Sequence, residues 1–141
     1  MGKRVIVVGG GIAGMQTALK LSAGGVSALL LERDADLGGK LTGWHKLFPS
    51  FTPAHEVLDE LRRRLAASDV EVRTRCEVAE VARDGVMLST GERLEADAVV
   101  VATGFTLFDA RIKEEYGYGI YDNVYTTVDI ERMLNEGRVA L

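Results

Sequence analysis

The stretch Val5-Ile6-Val7-Val8-Gly9-Gly10-Gly11-Ile12-Ala13-Gly14, with Ala28-Leu29-Leu30-Leu31-Glu32 further on, decides the fold. An apolar run of strand length leads into a Gly-x-Gly-x-x-Gly turn. A helical run follows, then a second apolar strand that ends in an acid. That acid stands 18 positions after the last glycine of the turn. A Gly-x-Gly-x-x-Gly alone says little; strand before, helix after and acid at the end of the next strand are the context that gives it meaning.

Each position has a physical reason. Gly9 permits the tight turn out of the strand. Gly11 has no side chain, so a pyrophosphate can approach the backbone, and Gly14 lets the helix pack close to the strands. Free N–H groups at the helix start, with the positive end of the helix dipole, attract phosphate. The pattern therefore predicts a site for the pyrophosphate and ribose of FAD or NAD, with Ile12 and Ala13 inside the turn. Glu32 is positioned to accept hydrogen bonds from an adenosine ribose, and Arg33 beside it belongs to the same candidate set. A 2′-phosphate would be repelled there, which disfavours NADP. The alternative is a glycine-rich strand–helix turn with no ligand.

The rest of the chain sets bounds. Its 141 residues fit one domain, and a chain of this size buries roughly two-thirds of its unfolded surface. Hydrophobic residues make 47% and charged residues 27%, as in an ordinary soluble globular protein. A net charge of −4 argues against nucleic acid or an anionic membrane as a general partner. The one cysteine, Cys76, excludes a disulfide and a cysteine-ligated iron–sulfur cluster within this chain. It fits a reducing cytoplasm. Lys3 and Arg4 before an apolar run imitate a secretion signal, but that run is already explained as strand and turn. No window reaches the ~18 apolar residues that a spanning helix needs.

Periodicity outlines the elements. Residues 3–8 read as a buried parallel strand, 11–24 as a helix with Ile12, Met15, Ala18, Leu19 and Leu21 inward, and 26–32 as the second strand. A loop carries Gly38-Gly39-Lys40. Thr52 as N-cap and Pro53 at the first helical position open a helix whose stripe is Val57, Leu58, Leu61 and Leu65, running to about residue 67. Arg62, Arg63 and Arg64 beside it read as a solvated face or a phosphate site. Val70 and Val72 mark a third strand. Residues 77–82, 85–90 and 92–95 read as an antiparallel meander with turns at Arg83-Asp84-Gly85 and Thr90-Gly91. Ala98-Val99-Val100-Val101-Ala102 reads as another buried strand, ending at Thr103-Gly104. Residues 105–125 form a loop, and 127–135 a final helix capped by Thr127. The fold class is α/β: a Rossmann-type parallel sheet with an inserted antiparallel β meander.

This order of elements, closing on an apolar strand and Ala-Thr-Gly, resembles the FAD domain of flavoproteins with two dinucleotide-binding folds. The resemblance implies that Ala102, Thr103 and Gly104 pass beside the cofactor. It places Gly38 and Gly39 near the pyrophosphate or ribityl chain, and the backbone around Val78 at the adenine. Lys40 reads either as neutralising a flavin or phosphate charge or as a surface lysine. A narrower likeness lies in Lys46-Leu47-Phe48-Pro49, Lys113-Glu114-Glu115-Tyr116-Gly117-Tyr118-Gly119, Tyr121-Asp122-Asn123-Val124 and Glu131-Arg132-Met133-Leu134. These segments resemble the A-type flavoprotein of heterodisulfide reductase and its relatives in sulfur metabolism. The likeness implies a FAD-dependent oxidoreductase subunit that moves electrons between a flavin and partner subunits of a heterodisulfide-reductase-like complex.

Departures from that family are informative. The methanogen-type protein carries cysteines after the Phe-Pro, where this chain reads Ser50-Phe51-Thr52-Pro53-Ala54-His55. That looks closer to cluster-poor relatives proposed for bacterial sulfur-oxidising assemblies. Residues 1–141 correspond to the N-terminal part of the family's FAD domain, without its second nucleotide-binding region. An apolar surface left open in that way would favour a homo-oligomer. Two alternatives stay open: NAD at the same turn, and a non-catalytic nucleotide-binding or assembly module. No Ser–His–Asp arrangement, metal-ligand cluster or hydrolytic carboxylate pair is evident, and no catalytic side chain is assigned. His45 and Cys76 read as structural residues, and the tyrosines at 116, 118, 121 and 125 as loop packing or a border to a ligand or partner.

Overall fold

The computed structural model describes residues 2–139. β1 (Arg4–Val8) leaves the N-terminus through its apolar run and delivers the chain to the glycine turn. α1 (Ile12–Ala23) follows, and Gly24–Gly25 stop it. β2 (Ser27–Leu31) then lies beside β1. A 3-10 turn at Gly39–Gly43 precedes a tiny ladder of β3 (Lys46–Leu47) and β4 (Thr52–Pro53). α2 (Ala54–Ala66) leads to β5 (Glu71–Arg73). Next come β6 (Val78–Ala82), β7 (Gly85–Leu88), β8 (Arg93–Glu95), β9 (Ala98–Val101) and α3 (Thr127–Asn135).

The main sheet has the order β5-β2-β1-β9, all parallel. Val7 stands opposite Leu30 on one side and Val100 on the other. Alternation along the strands divides the core in two. Val5, Val7 and Leu30 face α1 and α2, meeting Met15, Leu58 and Leu61. Ile6, Val8, Leu29 and Leu31 face Val86, Leu88 and Leu94 of the β6-β7-β8 meander. The inserted meander is thus the layer that covers the second face of the sheet, which explains why β1 and β2 are apolar on both sides.

Four expectations need correction. Thr52 does not cap α2: Thr52 and Pro53 pair with Lys46 and Leu47, so Pro53 takes the cap position and Thr52 Oγ1 turns to Ser50 Oγ at 2.7 Å. Strand pairing here outcompetes a local cap signal. Ile12 is not inward but exposed at the mouth of a cleft. β9 is not buried. It is the edge of the sheet, and Val101 is 60% exposed, because an apolar run does not by itself place strands on both of its sides. Thr126, not Thr127, caps α3, in a full capping box with Asp129. The 105–125 loop holds two short 3-10 turns, Ala110–Ile112 and Glu114–Tyr116.

Candidate functional site

Because the main strands run parallel, Val8, Leu31 and Val101 end at one edge of the sheet. The residues next in the chain, Gly9, Glu32 and Ala102, gather there, and such carboxyl ends are where open α/β sheets bind ligands. A cleft of about 900 Å³ lies over this edge. All the candidate residues line it except Gly14 and Val78.

The glycines have separable roles. Gly9 adopts φ +110° against the Ala102–Thr103 backbone, so a side chain there would meet the Ala102 carbonyl. A Cβ on Gly14 would fall on the Gly9 carbonyl oxygen, so this glycine sets the approach of α1 to the turn from beneath. A Cβ on Gly11 would have nothing within 4 Å. Gly11 therefore opens onto empty space at the N-cap of α1, where backbone N–H groups of the first turn lack partners within the helix.

Glu32 is the one buried charged residue among those described, 7% exposed. Its Oε2 accepts the Gly10 N–H at 2.6 Å and its Oε1 the Asp34 N–H at 2.8 Å. Each oxygen keeps a further lone pair, and the residue lines the cleft. Gly10, an unassigned position of the motif, proves essential to this arrangement: a Cβ there would lie 2.5 Å from Leu37 Cδ2 and 2.8 Å from Glu32 Oε2. The run of three glycines was its only signal.

The second wall is the Gly38–Trp44 loop. Gly38 donates its N–H to the Gly10 carbonyl at 2.8 Å, and Gly39 packs on Gly11, so the two glycine pairs close on one another. Lys40 Nζ lies 4.6 Å from the centre of the Phe105 ring, joining this loop to the segment after β9. Of the arginine triplet, Arg62 alone lines the cleft. Its guanidinium donates to the Leu37 carbonyl and lies 3.9 Å from Asp59. Arg63 instead pairs with Glu60 at the surface.

Val78 is not in the main cleft. It lines a smaller cavity of about 160 Å³ behind Glu32, with Cys76 and Glu77, and this cavity shares Gly9, Glu32, Arg33 and Thr103 with the cleft. His45 lies outside both and bonds to α3 through its backbone and its ring. Tyr118 stacks under Arg111 at 5.4 Å. No group of three or more His, Cys, Asp or Glu side chains among the described residues could hold a metal ion, and no described helix is long and apolar enough to cross a membrane.

The family model for pyridine nucleotide-disulphide oxidoreductases matches residues 45–131. The chain belongs to that family. A second model, an NAD(P)-binding Rossmann-like domain, matches residues 7–60 of this pyridine nucleotide-disulphide oxidoreductase family member. Its N-terminal stretch is 54% identical over 43 residues to the A-type iron-sulfur subunit of the CoB–CoM heterodisulfide reductase of Methanocaldococcus jannaschii. It is 58% identical over 43 residues to the first of the A-type iron-sulfur subunits of Methanopyrus kandleri. Both matches span 30% of this chain but 6% of the relative. A carotenoid phi-ring synthase of Chlorobaculum tepidum is 48% identical over 42 residues, again 30% of this chain and 6% of the relative. Among solved structures, the tetrameric form of 2-methyl-3-hydroxypyridine-5-carboxylic acid oxygenase superposes with a TM-score of 0.62 at 22% identity, over 74% of this chain and 40% of that one. That likeness is one of fold, and it agrees with the Rossmann-type sheet of this chain.

Proposed function

We propose that this chain binds FAD, as the N-terminal part of the FAD-binding domain of a heterodisulfide-reductase-A-like flavoprotein. The observation that carries the reading is the cleft itself. It opens above Gly11, ends at the buried Glu32, and is walled by Gly38–Gly39 on one side and Ala102–Gly104 on the other.

In this reading Glu32 holds the adenosine ribose through its free lone pairs, with Arg33 alongside. The amides at Gly11, Ile12 and Ala13 hold the pyrophosphate at the α1 N-terminus, above the turn that Gly9 and Gly14 shape. Gly38, Gly39 and Lys40 contact the pyrophosphate or ribityl chain, with Lys40 supplying positive charge. The adenine lies towards Val78. Ala102, Thr103 and Gly104 border the far end. Bound FAD would supply the redox step; the chain's residues supply position and electrostatics. The protein would move electrons between the flavin and partner subunits during thiol, disulfide or sulfur chemistry.

NAD at the same turn is the second reading, and the match to an NAD(P)-binding model favours it. The double wall favours FAD, since Gly38–Gly39 and the Ala-Thr-Gly strand extend the cleft to Trp44 and Phe105, well beyond the turn. Partner subunits or a second copy would find an apolar surface at Phe105, Phe108, Ile112, Tyr116 and Tyr121, all exposed. The single cysteine supports a cytoplasmic setting.

A visible absorption spectrum before and after incubation with FAD and desalting tests the reading. Retained flavin bands are the expected result. Fluorescence titration with NADH separates the alternatives: NADH binding without flavin retention supports NAD, and neither supports an assembly module.

A further inference from the structure

The Glu131-Arg132-Met133-Leu134 segment has no part in the cleft, yet its helix reaches one of the cleft's walls. No residue of α3 is buried, so packing alone does not seat this helix. Three hydrogen bonds do. Glu131 Oε2 accepts the His45 N–H at 2.6 Å. Asn135 Nδ2 donates to the Gly43 carbonyl at 3.0 Å, and Asn135 Oδ1 lies 3.1 Å from His45 Nδ1. Since the amide nitrogen of Asn135 is committed to Gly43, its oxygen must accept, and His45 Nδ1 carries the proton.

These bonds fall at one end of the segment that walls the cleft. Gly39, Lys40, Leu41, Thr42 and Trp44 all line it. The other end is tied by the Gly38 N–H to the Gly10 carbonyl, and Thr42 Oγ1 closes the turn onto the Gly39 carbonyl at 2.9 Å. Gly38 and Gly39 have φ of +136° and +53°, so the backbone around them has little steric restraint of its own. A loop built that way holds one shape only if both ends are pinned.

We propose that Glu131 and Asn135 are positioning residues for the dinucleotide cleft, acting through His45 and Gly43 to set the Gly39–Trp44 wall. The inference rests on the dinucleotide reading above. It implies that the post-β9 segment is not an appendage: α3 reaches back 86 residues to fix the loop that faces the cofactor.

FAD and AMP make a discriminating pair of probes. AMP needs only Glu32 and the glycine turn, whereas FAD also meets the Gly39–Trp44 wall. Glu131→Ala is expected to weaken FAD binding about tenfold, as loss of a charge-assisted bond implies. AMP binding, followed by NMR, should change less than about twofold. Glu131→Gln, which keeps an acceptor oxygen, should restore most of the FAD affinity, and Asn135→Ala should act like Glu131→Ala. Without ligand, hydrogen exchange at residues 41–45 should quicken in Glu131→Ala while β1 and α1 stay protected. Equal loss of FAD and AMP, unaltered FAD binding, or unaltered exchange would overturn the proposal. If the unmodified chain takes up neither FAD nor AMP, the dinucleotide reading fails and the positioning role falls with it, even where exchange quickens.

Discussion

Glu32 at the end of β2 accepts the backbone N–H of Gly10 at the end of β1, 2.6 Å away and out of solvent. This bond ties two neighbouring strand ends together at the edge where the cleft opens. It also fixes the carboxylate before any ligand arrives, so little ordering is left for binding. Glu32→Ala strands the Gly10 and Asp34 amides and should cost about 2 kcal/mol of stability. Urea denaturation checks it. Glu32→Gln, with one acceptor oxygen, should lose less.

The motif glycines should separate stability from binding. Gly11→Ala places a methyl group in open space, so the midpoint of unfolding should hardly move while FAD retention is lost. Gly14→Ala drives a methyl group onto the Gly9 carbonyl and should cost about 1–3 kcal/mol. Thermal unfolding beside flavin retention for the two variants gives the test. Loss of stability in both would contradict the assignment of Gly11 to the ligand.

Cys76 is a built-in reporter. Its side chain borders the small cavity that also holds Val78 and Glu32. If the adenine lies there, FAD or ADP should slow alkylation of Cys76 several-fold. Mass spectrometry of the labelled chain reads this out, and riboflavin, lacking the adenine, should give no protection.

Acid should loosen α3 first. The Thr126 hydroxyl and backbone N–H, with Tyr118 and Arg132, hold the Asp129 carboxyl below the usual carboxylate range, against the opposing effect of its burial. A depressed value in the folded state means that the stabilisation is complete above the ordinary aspartate pKa. It drains away as pH falls through the depressed one. Amide exchange in α3, followed from neutral to acid pH, should therefore quicken before that of β1 and β2. Thr126→Ala should cost about 1 kcal/mol at neutral pH and flatten the acid dependence.

Much of the fold is legible in the chain because the decisive signals are local. Val5–Val8 and Ala28–Leu31 are apolar at every position, which only a strand covered on both faces requires. The glycine turn announces itself by spacing, and the meander by Gly85 and Gly91. The hidden part depends on neighbours in space. The apolar run at Ala98–Val101 has the composition of a central strand, and only the sheet order makes it an edge. Arg62 differs from Arg63 because the Leu37 carbonyl lies within its reach, 25 positions back. Gly10 matters for the room it leaves to Glu32 and Leu37, which no spacing rule encodes. His45 meets Glu131 and Asn135 across 86 and 90 residues, with no periodicity to announce it.

The place of β9 has a consequence for how the molecule comes into being. Arg4, at the start of β1, donates its N–H to Asp97, 93 residues later, at the threshold of β9. On a ribosome, β1 waits for the 93 residues up to Asp97 to be synthesised before its second neighbour exists. Pairings of such sequence separation form slowly, and unpaired strands in the interval invite wrong partners. The glycine turn and its acid, by contrast, are complete within the stretch Gly9–Glu32. The nascent chain therefore carries the glycine turn and its acid long before the β9 pairing that completes the sheet, and if the proposed dinucleotide site is right, nucleotide captured at that stage would act as a folding template.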